Sequence, residues 1–301
     1  MKIPESKTSI TIPAKVCSNY EGYSFFTRVY HELKNHGFTD VFFDFTNNGW
    51  FEANLCAVFG ALLNDCQERF INPVFNNLQP KVEDIFYRNH FFASFQGSVL
   101  PDDKGTTIRY RRNKLTEEKL IKEFLFSELI QKNNFPKLSQ AAQKEIIRSI
   151  FEIYSNAIIH GKTDFVYSCG QFYPTKEPPR IDFTIVDLGR TIKTNVNEFL
   201  GKQFSGIEAI DWAVQGNNST KPRKDNIPGG LGFKLICDFV RLNKGKLQIV
   251  SSDGFWEQKT EDITKHALPN DFPGTIVNLE FNMADASFYY LSSENVEDIK
   301  F

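Results

Sequence analysis

The sequence predicts an α/β protein built from two domains. Three observations carry that expectation: a length of 301 residues, strand-like runs alternating with helical spacing over residues 8–75, and a second half in which a long amphipathic helix precedes apolar strand-like runs. A chain of this length can bury two separate cores. Its 41% hydrophobic and 24% charged residues are those of a globular protein rather than a disordered or membrane one. Thirty phenylalanines point to large aromatic cores and to a contact between subunits.

Residues 9–12 read as a strand and 23–35 as an amphipathic helix, with Phe26, Val29, Tyr30 and Leu33 on one face. Residues 41–46 (VFFDFT) are apolar and aromatic enough for a buried strand; Asn47, Asn48 and Gly49 break it, and 53–66 returns to helical spacing. That order places helices on one side of a sheet. An aromatic run at 81–97 holds Phe86, Phe91, Phe92 and Phe95, read as core in preference to an exposed contact. A turn at 101–105 (PDDKG) marks the domain junction, 106–110 is a strand, and 116–132 is a helix with Glu117 and Glu118 in its first turn. The expected divisions are a first domain at 1–97, a connector at 98–135, a second domain at 136–284 and a tail at 285–301.

A formal charge of -2 and a pI near 6.3 leave no global footprint for nucleic acid or anionic membrane. Arg109, Arg111, Arg112 and Lys114 form one basic cluster, either a solvated connector face or a place for an acidic partner or a nucleic-acid backbone. Cys17, Cys56, Cys66, Cys169 and Cys237 are dispersed without a CxxC pair, which argues against a zinc site or a disulfide framework. No apolar run approaches the ~18 residues that span a bilayer, and the first residues lack an apolar signal core. A cytoplasmic location is expected.

The helix expected at 139–160 opens on Ser139 as N-cap and carries Ile146, Ile150, Phe151, Tyr154 and Ala157 in a broad apolar stripe. Glu152 and Asn156 lie one turn apart, so a carboxylate and a carboxamide can converge on one ligand. An isolated pair of this kind reads as a solvated polar face; the downstream segments change that reading.

Residues 151–161 (FEIYSNAIIHG) closely resemble the N-box of the GHKL ATPases, the Bergerat-fold group that includes gyrases, heat-shock chaperones, histidine kinases and mismatch-repair proteins. The similarity is greatest to bacterial anti-sigma-factor serine kinases. Residues 183–192 (FTIVDLGRTI) resemble the first glycine box, 228–236 (PGGLGFKLI) the second, and 274–279 (GTIVNL) the closing strand with its Gly-Thr pair. Each alone is weak, and a plain glycine turn is the better explanation of the second box taken by itself, but four in the family's order carry weight through their context. The resemblance implies a Bergerat-type α/β sandwich, a mixed sheet covered on one face by helices, that binds ATP and Mg²⁺.

In that family Asn156 would be a hard oxygen ligand for Mg²⁺, and Glu152 would orient or deprotonate the nucleophile. Asp187 would accept from the adenine amino group. Gly189 would let the base approach the backbone, and Thr275 belongs to the closing strand of the site. Gly229, Gly230, Leu231 and Gly232 would open a helix whose free amides cradle phosphate. Residues 195–227 occupy the place of the ATP lid, where Lys221, Arg223 and Lys224 either meet the phosphates or form a solvated loop face. Thr191 stands where the family usually has a second glycine, and is expected to narrow the pocket beside the base or to reshape the lid hinge. His160 is expected to be a structural histidine at the helix end.

Residues of about 8–75, chiefly through VFFDFT at 41–46 and FEANLCAVFGALL at 51–63, resemble more weakly the STAS fold of anti-sigma-factor antagonists. The serine that a partner kinase phosphorylates in that family falls at Ala53, beside Asn54, and neither has a hydroxyl. The first domain is therefore expected to bind a protein partner or a second copy. Three functions follow: an ATP- and Mg²⁺-dependent regulatory ATPase, an anti-sigma-type protein serine/threonine kinase, and a non-catalytic ATP-binding switch. A histidine kinase fits least, because no phosphoacceptor helix is evident.

Overall fold

The structure, a computed structural model, describes residues 8–95, 97–215, 218 and 231–294, with backbone alone at 115 and 231–233. It is a mixed α/β protein.

The chain opens with β1 (Thr8–Thr11), β2 (Lys15–Val16) and α1 (Tyr20–Leu33), whose cap Asn19 accepts the Gly22 N–H at 2.9 Å. There follow β3 (Asp40–Asp44), β4 (Trp50–Phe51), a 3-10 turn (Ala53–Leu55), α2 (Cys56–Glu68), β5 (Asn72–Asn76) and α3 (Pro80–Arg88). Strands β1, β3 and β5 form a parallel sheet with β3 central, Ile10 beside Phe43 and Phe43 beside Phe75. Parallel pairing follows from the crossovers through α1 and α2. The aromatic run belongs to this core: Phe86, Phe91 and Phe92 are buried, and Phe91 lies 5.7 Å from Phe59 and 4.9 Å from Phe86 between ring centres.

Helix α2 is apolar all round, with every residue from Cys56 to Leu63 buried. Such a helix needs cover on all sides, and it lies between the parallel sheet and a second, larger one.

That second sheet is assembled from β6 (Thr107–Asn113), β8 (Val166–Tyr173), β9 (Arg180–Asp187), β10 (Lys246–Lys259) and β11 (Asp262–Asn282), in the order β10-β11-β9-β8-β6. Between its strands run α4 (Glu118–Phe124), which continues as a π-helical turn (Leu125–Ile130), β7 (Lys137–Leu138), α5 (Gln140–Ile159), α6 (Ile192–Leu200), α7 (Gly206–Val214) and α8 (Leu231–Leu242). β12 (Phe288–Tyr289) pairs with β7. β6, which falls in the stretch read as a connector, is the sheet's edge strand.

Two expectations about this sheet are corrected. It was expected to be mixed, yet every neighbouring pair is antiparallel, β8–β9 and β10–β11 as sequential neighbours and β6–β8 and β9–β11 across the intervening helices. It was expected to be covered on one face, yet both faces are buried. Ile181, Phe183 and Ile185 of β9 pack with α5 and α8, while Val186 joins Tyr167, Cys169 and Ile276 in the core of the first unit. Among the described residues no helix is long and apolar enough to cross a membrane.

A polar seam joins the two layers. The carboxamide of Asn54, fully buried at the start of α2, donates to Ser18 Oγ (2.8 Å), Thr184 Oγ1 (2.9 Å) and Asn278 Oδ1 (3.2 Å). Thr184 in turn donates to Asn278 at 2.8 Å, and Asn278 to Gln248 at 3.0 Å. Beside it Glu52 accepts the Ser18 N–H at 2.6 Å and pairs with Arg180 at 3.0 Å, and the Ala53 N–H donates to Tyr173 Oη. Removing one member strands its buried partners without a hydrogen bond, the expensive way to lose one. Asn54→Ala is expected to lower stability by about 2 kcal/mol or more in urea unfolding, whereas exposed Asn35→Ala stays within about 0.5 kcal/mol.

Candidate functional site

Helix α5 forms because Ser139 caps it, accepting the Ala142 N–H at 3.0 Å, and because Ile146, Ile150, Ile153, Tyr154 and Ala157 seat it on the sheet. Its last turns line a cavity whose other walls are the end of β9, the interior of β11, the start of β10, and helices α6 and α7. Glu152, Asn156 and His160 follow one another at single-turn spacing along that wall. Asn156 Oδ1 is buried and has no hydrogen-bond partner among the described residues. A buried acceptor left open lacks the compensation that burial requires, and a bound cation or donor supplies it.

Asp187 forms the floor. It closes β9 opposite Thr275 of β11, which also lines the cavity, and is only 5% exposed. Its carboxyl accepts the Gly189 N–H at 2.9 Å, and burial, partly offset by that hydrogen bond, pushes it up to about 7.

Three glycines let three chain segments meet around this carboxyl. A methyl group at Gly189 would sit 2.1 Å from the Gly161 carbonyl oxygen, and one at Gly274, where φ is +128°, would sit 2.1 Å from the Asp187 carbonyl oxygen. At Gly161 it would meet the Ala157 carbonyl at 2.1 Å and Asp187 Oδ1 at 2.9 Å. Gly189 thus has a requirement beyond the one expected of it: its missing side chain makes room for the end of the α5 segment. The Arg190 N–H then donates to the Gly161 carbonyl at 2.6 Å and ties the two segments together.

The region read as a lid differs from expectation. Its first part is not a loop: α6 and α7 occupy most of 192–214. Thr191 is not among the residues lining the cavity. Its hydroxyl accepts the Thr194 N–H at 3.1 Å and caps α6, which a glycine does without a side-chain bond. Ser205 and Glu208 form a reciprocal capping box for α7. That S-x-x-E spacing is visible in the sequence and is the signal that would have found this helix. Trp212 and Val214 of α7 and Ile192 and Val196 of α6 supply an apolar wall that the sequence reading missed.

The structure therefore brings Glu152, Asn156, Asp187 and Thr275 to one cavity, with Gly189 directly behind Asp187. Leu231 and Gly232 open α8, which packs against α5. Lys221, Arg223, Lys224, Gly229 and Gly230 lie outside the described residues. His160 ends α5, and its carbonyl accepts from Asn195 Nδ2 at 3.1 Å. The basic cluster on β6 is engaged within the chain: Arg109 pairs with Glu128 and Arg112 with Glu68, and Arg111 lies over Phe124. Among the described residues no group of three or more His, Cys, Asp or Glu is placed to hold a metal ion. A cation at Asn156 would accordingly rest on one carboxamide oxygen, water and the ligand's own oxygens.

No protein-family model matches the chain, and no curated protein is significantly similar to it.

The buried Asp187 carboxyl has a consequence for stability. Its pKa is about 7 in the folded chain against an ordinary 3.8. Between those values the folded state binds more protons than the unfolded one, so Asp187 subtracts stability as pH rises from about 4 to 7. Asp187→Asn keeps an acceptor for the Gly189 N–H and removes the buried charge. Its stability relative to wild type is expected to rise between pH 5 and pH 8, by about 3 kcal/mol at most at ~1.4 kcal/mol per pH unit up to the folded value near 7, in denaturant unfolding at the two pH values.

Proposed function

We propose that the chain is an ATP- and Mg²⁺-dependent regulatory ATPase of the GHKL type, a Bergerat-like sandwich with a STAS-like first unit, whose nucleotide state is coupled to binding of a protein partner or a second copy. The observation that carries the reading is the placement of a buried carboxyl, Asp187, and a buried, unpartnered carboxamide oxygen, Asn156 Oδ1, on two walls of one cavity with Glu152 one turn away.

In this reading Asp187 accepts from the adenine amino group, and Ile185, Ile192 and Val196 enclose the base. Asn156 would hold Mg²⁺ through its open Oδ1, and the bound ion would supply positive charge against that building on the phosphates. Glu152 takes a proton from a water as its oxygen bonds to the γ-phosphorus and the bond to the β–γ bridging oxygen breaks. The apolar helices α6 and α7 limit water at the base.

Phosphotransfer to the first unit of the same chain finds little support. Ala53 and Asn54, at the STAS phosphoacceptor position, lack hydroxyls and are fully buried against the large sheet. Hydrolysis with internal docking of the first unit fits these residues better than phosphotransfer to it.

Asn156→Ala is expected to abolish Mg-ATP binding, while Glu152→Ala retains binding and loses about 100-fold or more in turnover. Wild-type turnover no faster than that of Glu152→Ala contradicts an enzyme and leaves the non-catalytic switch. With γ-labelled ATP, free phosphate alone supports the ATPase, and label on a neighbouring protein supports the kinase.

A further inference from the structure

The cavity has a gradient of burial. Asp187 on its floor is 5% exposed, whereas the side chain of Arg190, three residues on, is 26% exposed and stands near the rim. Arg190 is the one arginine or lysine among the described residues that line the cavity, and Glu152 and Asp187 give that lining acidic groups of its own. Its guanidinium pairs with Glu198 of α6, which does not line the cavity and whose side chain is 64% exposed.

An ion pair with so exposed a carboxylate is screened by water and contributes little, so exchanging that partner costs little. The Arg190 backbone is held independently, through its N–H to the Gly161 carbonyl. The side chain can therefore change partner while its Cα stays fixed beside the site. A guanidinium offers paired donors that match a phosphate better than a lone carboxylate at high exposure, because a phosphate carries more charge and more acceptors.

We infer that Arg190 sets the preference of this cavity for a phosphorylated nucleotide over the bare nucleoside, and that Glu198 competes with the phosphates for it. The inference rests on the nucleotide reading of the same cavity. It adds a specificity-determining residue at the rim and a carboxylate that holds it between binding events.

The test is calorimetric titration of the full chain with Mg-ATP, ADP and adenosine, for wild type, Arg190→Ala, Arg190→Lys and Glu198→Gln. Arg190→Ala is expected to weaken ATP and ADP about tenfold or more while adenosine stays within about twofold, and Arg190→Lys to recover part of the loss. Glu198→Gln is expected to tighten ATP and ADP by a few-fold, on the order of an exposed ion pair, with adenosine unchanged. Retained adenosine binding also reports that each variant is folded. Equal weakening of ATP and adenosine in Arg190→Ala, or unchanged ATP binding in both Arg190→Ala and Glu198→Gln, overturns the inference while leaving the nucleotide reading intact. A wild-type chain that binds neither ATP nor adenosine overturns both.

Discussion

Strand β9 is buried on both faces, and successive side chains along it have to find partners in different layers. Phe183 and Ile185 point toward α5 and α8, and Asp187 ends that same row at the floor of the cavity. Asp182, Thr184 and Val186 point the other way, toward the first unit. An apolar side chain meets this demand by packing, but Thr184 requires a hydrogen bond, and Asn54 provides it. The same eight-residue strand thus fixes the place of the candidate site and the docking of the first unit.

This arrangement makes the first unit part of the sheet's core rather than an appendage. Tyr110 of β6 illustrates the tightness: a methyl group at Gly60 of α2 would lie 2.4 Å from its hydroxyl. The β10–β11 hairpin adds a second connection. Trp256 Nε1 donates to Asp211 of α7 at 3.0 Å, and Lys265 pairs with the same carboxylate at 2.6 Å, while Tyr20 of α1 donates to the Ala267 carbonyl at 3.0 Å. One hairpin therefore touches both a helix that lines the cavity and a helix of the first unit. These packed contacts join a wall of the cavity to the first unit.

Helix α5 was legible in the sequence because its signals are local: Ser139 caps it, an apolar stripe runs through it, and Glu152 and Asn156 share a face by spacing alone. The first strands and helices were legible for the same reason, although α1 begins at Tyr20 rather than near residue 23. What escaped were facts set by distant partners. The antiparallel order of the large sheet depends on which strands meet, and its second buried face depends on the first unit lying there. The steric demand on Gly189 comes from Gly161, 28 positions earlier in numbering and adjacent in space. Helices α6 and α7 were hidden because they share a stretch with the polar run at 216–226, which set the loop reading for the whole, although Thr191 and the Ser205–Glu208 box announce both starts.

The central claim is that Asp187 and Asn156 hold the two ends of one nucleotide. The most direct measurement is a crystal structure of the full chain with Mg²⁺ and a non-hydrolysable ATP analogue. The account predicts the adenine amino group within about 3 Å of the Asp187 carboxyl and the ion about 2.1 Å from Asn156 Oδ1. Nucleotide bound elsewhere on the chain, or a base turned away from Asp187 with Asn156 Oδ1 still unpartnered, would contradict it.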